Sequence, residues 1–239
     1  MLLQVESIHT YYGLSHILFG ISLEIQSGEC VCLLGRNGAG KTTTFRSIMG
    51  LTPPRLGRVL WKGQPIQSRM PHAIAQLGIG LVPEDRAIFQ NLTVWENLDV
   101  ARKPNASGAT PWTVERVYQF FPRLAERSKQ LGGTLSGGEQ QMLTIARTLM
   151  GNPDLVLLDE PSEGLAPLIV DAIGELVIQL KGEGVTILLA EQNLYFSLAV
   201  SERAYVIDDG RIQFAGATGE LLARPEIVQK FLAAQAGGR

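Results

Sequence analysis

Eight residues, Gly35-Arg36-Asn37-Gly38-Ala39-Gly40-Lys41-Thr42, constrain this chain more than any others. They match GxxxxGK[ST], directly after an apolar run, CVCLL, and at the head of a helical pattern from Lys41 to Met49. A strand, a glycine-rich bend and a helix in that order let successive backbone N–H groups converge on phosphate oxygens, with the positive end of the helix dipole behind them. Lys41 adds a point charge for the outer phosphates, and Thr42 adds a hydroxyl able to ligate Mg²⁺. ATP or GTP binding follows, with Gly35 to Thr43 as the cradle. The alternative, a glycine-rich turn that binds nothing, is disfavoured by the complete motif in its strand-to-helix context.

A second apolar run, Leu155 to Leu158, ends in Asp159 and Glu160, and Pro161 stops the ladder. Adjacent acids at the end of a buried strand need a cation or an exposed edge. Beside a phosphate loop, Asp159 would hold Mg²⁺ through water, and Glu160 would orient or deprotonate the attacking water. A third element, Leu135-Ser136-Gly137-Gly138-Glu139, opens a helix with a capping box in which Ser136 and Glu139 serve each other's backbone. Capping leaves Gly137 and Gly138 unexplained, since glycine in a first turn costs about 1 kcal/mol relative to alanine. Close approach of a phosphate to the bare backbone would explain them.

Around these motifs the chain reads as one α/β core interrupted by one helical insertion. Residues 1–84 begin with short antiparallel strands punctuated by Gly13, Gly20 and Gly28, and include a hairpin turning at Lys62-Gly63. Residues 85–152 read as helical, with a polar loop from Arg102 to Pro111. The α/β pattern resumes over 153–239: the acidic strand, a helix near Leu168 to Lys181, the strand VTILLA, a hairpin AYVIDDGRIQFAG, and a helix from Ala217 onward. The run ILLAEQN, at Ile187 to Asn193, has two readings, a strand reaching water or the rim of a catalytic site.

With 239 residues, 45% of them hydrophobic, the chain is long enough for a sizeable core. Its 21 Lys+Arg against 23 Asp+Glu, without a basic tract, weigh against nucleic acid as a partner. Cys30 and Cys32 alternate onto one face of a strand and read as reduced packing residues. No export signal opens the sequence and no apolar run reaches the roughly 18 residues of a membrane span, so the expectation is a cytoplasmic chain.

The ordered set GRNGAGKTT, LSGGEQQ and LVLLDEP resembles the ATP-binding subunits of ABC transporters over essentially the whole length. VPEDRAIF, LTVWENL, FPRLAER, DEPSEGLAP and LLAEQN resemble more narrowly the ATPase subunits of branched-chain (hydrophobic) amino-acid importers, the LivF type. The resemblance implies a P-loop NTPase (RecA-like) core with an antiparallel β subdomain and an inserted α-helical subdomain. It implies a head-to-tail dimer with a second ABC ATPase subunit, homotypic or heterotypic, in which each ATP lies between one phosphate loop and the other chain's Ser136–Glu139 segment. Partners would be integral-membrane permease subunits and, indirectly, a periplasmic or extracellular solute-binding protein, with the chain at the cytoplasmic face of the inner membrane. Tyr12 would stack on adenine, with Tyr11 and plain strand packing as the alternatives.

This sequence departs from the general family pattern at three places: Gln192 stands for histidine, Glu84 for glutamine and Ala166 for aspartate. By resemblance, Gln192 would contact the γ-phosphate and the attacking water, and Glu84 would sit near Mg²⁺, either ligating it or repelling the phosphates. An amide accepts no proton at ordinary pH, so at this position a histidine base is excluded, leaving Glu160 as base or orienter. The transported solute would be a branched-chain amino acid, with urea or a short amide as the alternative. Two further readings are a non-transport ABC ATPase acting on nucleic acid or ribosomes and a P-loop kinase. The first lacks the expected tandem cassettes, coiled coils or basic extensions, and the second has no use for LSGGEQQ.

Overall fold

The computed structural model describes residues 1–104 and 110–232. Two sheets are stacked with helices around them. The first is antiparallel, ordered β2-β1-β4-β5, and uses β1 (Leu3–Tyr12), β2 (Ser15–Ile25), β4 (Leu56–Trp61) and the two-residue β5 (Gln64–Pro65). β1 turns Leu3 and Val5 inward and then Ile8 and Thr10, a half-buried strand whose period of two is interrupted by a bulge at Ser7. The β4–β5 hairpin turns at Lys62 and Gly63, both at positive φ (49° and 78°), as a tight two-residue hairpin turn requires.

The second sheet is ordered β10-β9-β3-β8-β7-β6 and carries the site. Its members are β3 (Cys30–Leu34), β6 (Ile79–Val82), β7 (Leu155–Asp159), β8 (Thr186–Glu191), β9 (Arg203–Asp208) and β10 (Arg211–Ala217). All neighbours pair in parallel except β10, which runs antiparallel to β9. Both faces of this sheet are covered, so β3, β7 and β8 are apolar runs without alternation, buried at every position. On one face Val31 and Leu33 pack with Phe45 and Ile48 of α1 (Lys41–Ile48) and with the antiparallel sheet. On the other, Cys30, Cys32 and Leu34 share a core with α6 (Gly137–Leu149), α7 (Pro167–Gly182) and α8 (Leu194–Val200). Burial pushes the two thiols up to about 12 and about 11, so both are inert packing residues.

Between β3 and β7 lie α2 (Pro71–Gln76), α3 (Val94–Asp99), α4 (Val114–Phe120), α5 (Pro122–Glu126) and a 3-10 turn at Gly132–Thr134. Capping boxes start α3 (Thr93 with Glu96) and α6 (Ser136 with Glu139). The polar loop expected from Arg102 to Pro111 falls partly on 105–109, outside the described residues. The single helix expected from Ala217 is two: α9 (Thr218–Leu222) and α10 (Pro225–Leu232), because Pro225 lacks the N–H that would extend α9 yet suits the first position of a new helix. Its expected continuation past Leu232 lies outside the described residues. The short elements α2, β6 and α8 leave no periodic signal in the sequence, because they span only six, four and seven residues. Among the described residues no helix is long and apolar enough to cross a membrane.

The bulge where β1 crosses β4 gives one stability prediction. Ser7 sits at φ 45°, Gly57 at φ 88°, and a Cβ on Gly57 would lie 2.4 Å from the Ser7 carbonyl oxygen. Gly57→Ala should therefore cost more than about 2 kcal/mol, whereas Gly13→Ala, at φ 58° with open space, should cost about 1 kcal/mol. Urea denaturation of the two variants checks the ranking.

Candidate functional site

The site forms where β3, β8 and β7 end side by side. Leu34 pairs with Glu191 and Asp159 with Ala190, which brings three loops to one edge of the sheet. The phosphate loop leaves β3 with Gly35 N–H bonded to the Glu191 carbonyl at 3.1 Å. A side chain at Gly35 would strike the Ile207 carbonyl oxygen, 2.6 Å from an ideal Cβ. Ala39 packs into the core, while Arg36, Asn37 and Gly38 face solvent. Gly40, at φ 114°, opens α1 with no side-chain cap, and no acid lies in the first turn. That helix start is left open to an anion, in front of a small cavity of about 90 Å³ lined by Gly38, Gly40, Lys41, Thr42, Thr43 and Glu160.

Lys41 is buried, its side chain 2% exposed, and its ammonium has three partners. It donates to the Gly35 carbonyl at 2.7 Å and the Arg36 carbonyl at 3.0 Å, and it pairs with Glu160 Oε1 at 3.0 Å. Glu160 itself is at φ 47°, in the left-handed region, where a non-glycine residue is strained. Its N–H bonds to the Ala190 carbonyl at 2.9 Å and its carbonyl accepts from Glu163 N–H at 3.1 Å, so both neighbours hold the bend that turns its carboxylate toward Lys41.

Next to it, Asp159 is buried and accepts a hydrogen bond from the Thr42 hydroxyl at 3.1 Å. Burial raises the Asp159 carboxyl to about 6; the Thr42 bond opposes the rise, and the charges of Glu160 and Glu84 add to it. Glu163, hydrogen-bonded to Glu160, is raised to about 7 by that bond first and by burial second. One lysine among these carboxyls leaves excess negative charge that a divalent cation would neutralise. Thr42 and Asp159 supply hard oxygen donors that suit Mg²⁺, with exposed Glu84 acting on the same region from the end of β6.

Gln192, half-buried, follows β8, and its backbone N–H is held by the Glu191 carboxylate at 3.2 Å. Glu191 is 2% exposed, and burial raises its carboxyl while hydrogen bonds from Ser162 and Asn193 oppose the rise. Sequence reasoning passed over Glu163 and Glu191. The signal for Glu191 was an acid closing an apolar run, the same signal that marked Asp159.

Of the two tyrosines, Tyr11 is committed: its ring stacks on His16 at 4.0 Å and lies under the Arg55 guanidinium at 4.5 Å. Tyr12 is 43% exposed and so is the one open to a planar ligand. Ser136 and Glu139 form the expected capping box, and Glu139 also pairs with Arg127 at 2.6 Å. None of residues 136–139 lines the cavity at Lys41. Gly138 has a packing reason apart from any phosphate, whereas the neighbour of Gly137 is the movable end of an arginine. A Cβ on Gly138 would lie 2.8 Å from Ile169 Cγ2, and one on Gly137 2.9 Å from the Arg86 guanidinium.

The family model described as ABC transporter matches residues 18–163. Across 97% of this chain and 99% of the relative, the sequence is 41% identical to the high-affinity branched-chain amino acid transport ATP-binding protein BraG of Pseudomonas aeruginosa. It is 36% identical to the probable branched-chain amino acid transport ATP-binding protein LivF of Archaeoglobus fulgidus, over 92% and 94% of the two chains. The lipopolysaccharide export system ATP-binding protein LptB of Haemophilus influenzae is 34% identical over 98% of each. Among solved structures, an ATP-binding cassette of an ABC transporter in its ADP conformation superposes with a TM-score of 0.82 at 27% identity, covering 97% of this chain and 98% of that one.

The raised Asp159 carboxyl makes stability depend on pH in the chain without nucleotide or metal. Its folded value, about 6, lies above the ordinary aspartate value of 3.8, so its favourable contribution is full below about 4 and lost as pH rises through about 6. Asp159→Asn keeps an acceptor for Thr42 and has no charge to bury. Its stability relative to the parent should rise between pH 4 and 6, by up to about 3 kcal/mol, and level off above. Thermal melts in chelator across that range check the sign.

Proposed function

From the premise that this chain belongs to the ABC transporter family and is one of its ATP-hydrolysing subunits, we propose that it powers import of branched-chain or other hydrophobic amino acids. The observation that carries the solute reading is the 41% identity to BraG across nearly the full length of both chains. Lipopolysaccharide export is the second reading, supported by 34% identity to LptB over equal coverage. Import of urea or a short amide is the third.

In this reading the open start of α1 and the N–H groups of residues 38–43 take the β- and γ-phosphates. Lys41 leaves Glu160 for the γ-phosphate, and the freed Glu160 carboxylate orients or deprotonates the attacking water. Gln192 donates an amide hydrogen bond to the phosphate, and Tyr12 stacks on the adenine. Mg²⁺, held by Thr42 and, through water, by Asp159, would neutralise charge on the phosphates. Ser136 to Glu139 would close over the nucleotide of a second ATPase subunit, homotypic or heterotypic. The helical region 85–152 would pass closure and opening to permease subunits at the cytoplasmic face of the inner membrane, with a solute-binding protein delivering cargo.

Transport assays separate the three solutes. Cells lacking this chain should lose uptake of labelled leucine, isoleucine and valine, keep urea uptake, and export lipopolysaccharide normally. Restoring the wild-type chain should restore amino-acid uptake, and restoring Glu160→Gln should not. In the assembled transporter, Glu160→Gln should lower MgATP hydrolysis by about 10²-fold or more. Unchanged leucine uptake in cells lacking the chain would reject the amino-acid reading and leave the ATPase assignment standing.

A further inference from the structure

Glu191 closes the central strand β8 with its side chain inside the protein, 2% exposed. Its two carboxylate oxygens divide their work. Oε1 accepts from Ser162 N–H at 3.1 Å, in the turn that begins with Glu160. Oε2 accepts from Gln192 N–H and from Asn193 N–H, each at 3.2 Å. The Glu191 carbonyl accepts from Gly35 N–H at 3.1 Å, at the first residue of the phosphate loop. Glu191 therefore contacts all three loops of the site through hydrogen bonds to their backbone, in a sheet where β8 lies between β3 and β7.

A carboxylate is suited to this place because it accepts at both ends. A glutamine there accepts at one end only, and its NH₂ group would face either Ser162 N–H or the Gln192 and Asn193 N–H groups, so one loop is released whichever way the amide turns. A residue needed only to fill the strand end would be apolar, because burying a carboxylate is costly unless its hydrogen bonds are made.

We propose that Glu191 is a positioning residue for ATP hydrolysis, holding Gln192 and the turn of Glu160 in one register so that both address the same γ-phosphate. The inference rests on the roles proposed above for Glu160 and Gln192. Buried and bonded to backbone N–H groups, Glu191 acts through the two loops, and small displacements of positioned groups carry large rate penalties.

The test compares Glu191→Gln, Gln192→Ala and their double variant in the assembled transporter, with amide hydrogen exchange on the free chain. Glu191→Gln should lower kcat for MgATP hydrolysis by about tenfold or more while KM for ATP stays within about twofold. The double variant should lose little more than the worse single variant, as residues acting as a unit do. Exchange should quicken at the amides of Ser162, Gln192 and Asn193 and stay unchanged over Gly38–Thr43. An unchanged kcat, a fully multiplicative double variant, or a loss matched by a general rise in exchange would overturn the proposal and assign Glu191 a purely structural role. Full activity in Gln192→Ala and in Glu160→Gln would instead reject the underlying roles of those two residues, and the proposal with them.

Discussion

A lysine ammonium with its side chain 2% exposed must be matched by anions or carbonyls, and the rest of the site is arranged around that requirement at Lys41. Two carbonyls of its own loop take part of the charge, and the Glu160 carboxylate takes the remainder at 3.0 Å. Removing one partner from such a pair is costly, because the other is left buried and uncompensated. A γ-phosphate is the natural replacement, since it offers Lys41 a stronger anion and also meets the uncapped start of α1. In the proposed mechanism binding and activation would be linked: the cation that would recognise phosphate holds the Glu160 carboxylate beforehand.

The sheet makes this pairing possible. Parallel strands bring their C-terminal ends to one edge, and the order β3-β8-β7 sets the loop after β8 between the lysine loop and the acidic loop. Glu160 must bend sharply out of β7 to reach Lys41, and it does so at φ 47°. The strained conformation is held by hydrogen bonds to Ala190 and Glu163.

The parts legible in the sequence were those whose chemistry is local. Residues 35–42 are contiguous, so a single bend and one helix start account for them. The run from Leu155 to Asp159 is buried on both faces and reads as such. The capping box from Ser136 to Glu139 spans four residues. Legibility ended where the deciding neighbour is remote. The glycine at 138 makes room for Ile169 on another helix, and nothing near residue 138 in the chain says so. The carboxylate of Glu191 is satisfied partly by Ser162, 29 residues away. From the chain alone, ILLAEQN could equally have been a strand reaching water. The structure puts Glu191 inside and leaves Gln192 half-buried at the same end of the sheet.

The most direct test of the Lys41 exchange is the affinity of the nucleotide-free chain for ATP in the absence of Mg²⁺, measured by titration calorimetry for wild type and for Glu160→Gln. If Glu160 and the γ-phosphate compete for one ammonium, the variant binds ATP several-fold more tightly, and the difference shrinks for ADP, which lacks that phosphate. Equal or weaker binding of ATP by Glu160→Gln would mean that Lys41 is not held back by Glu160, and would contradict the account.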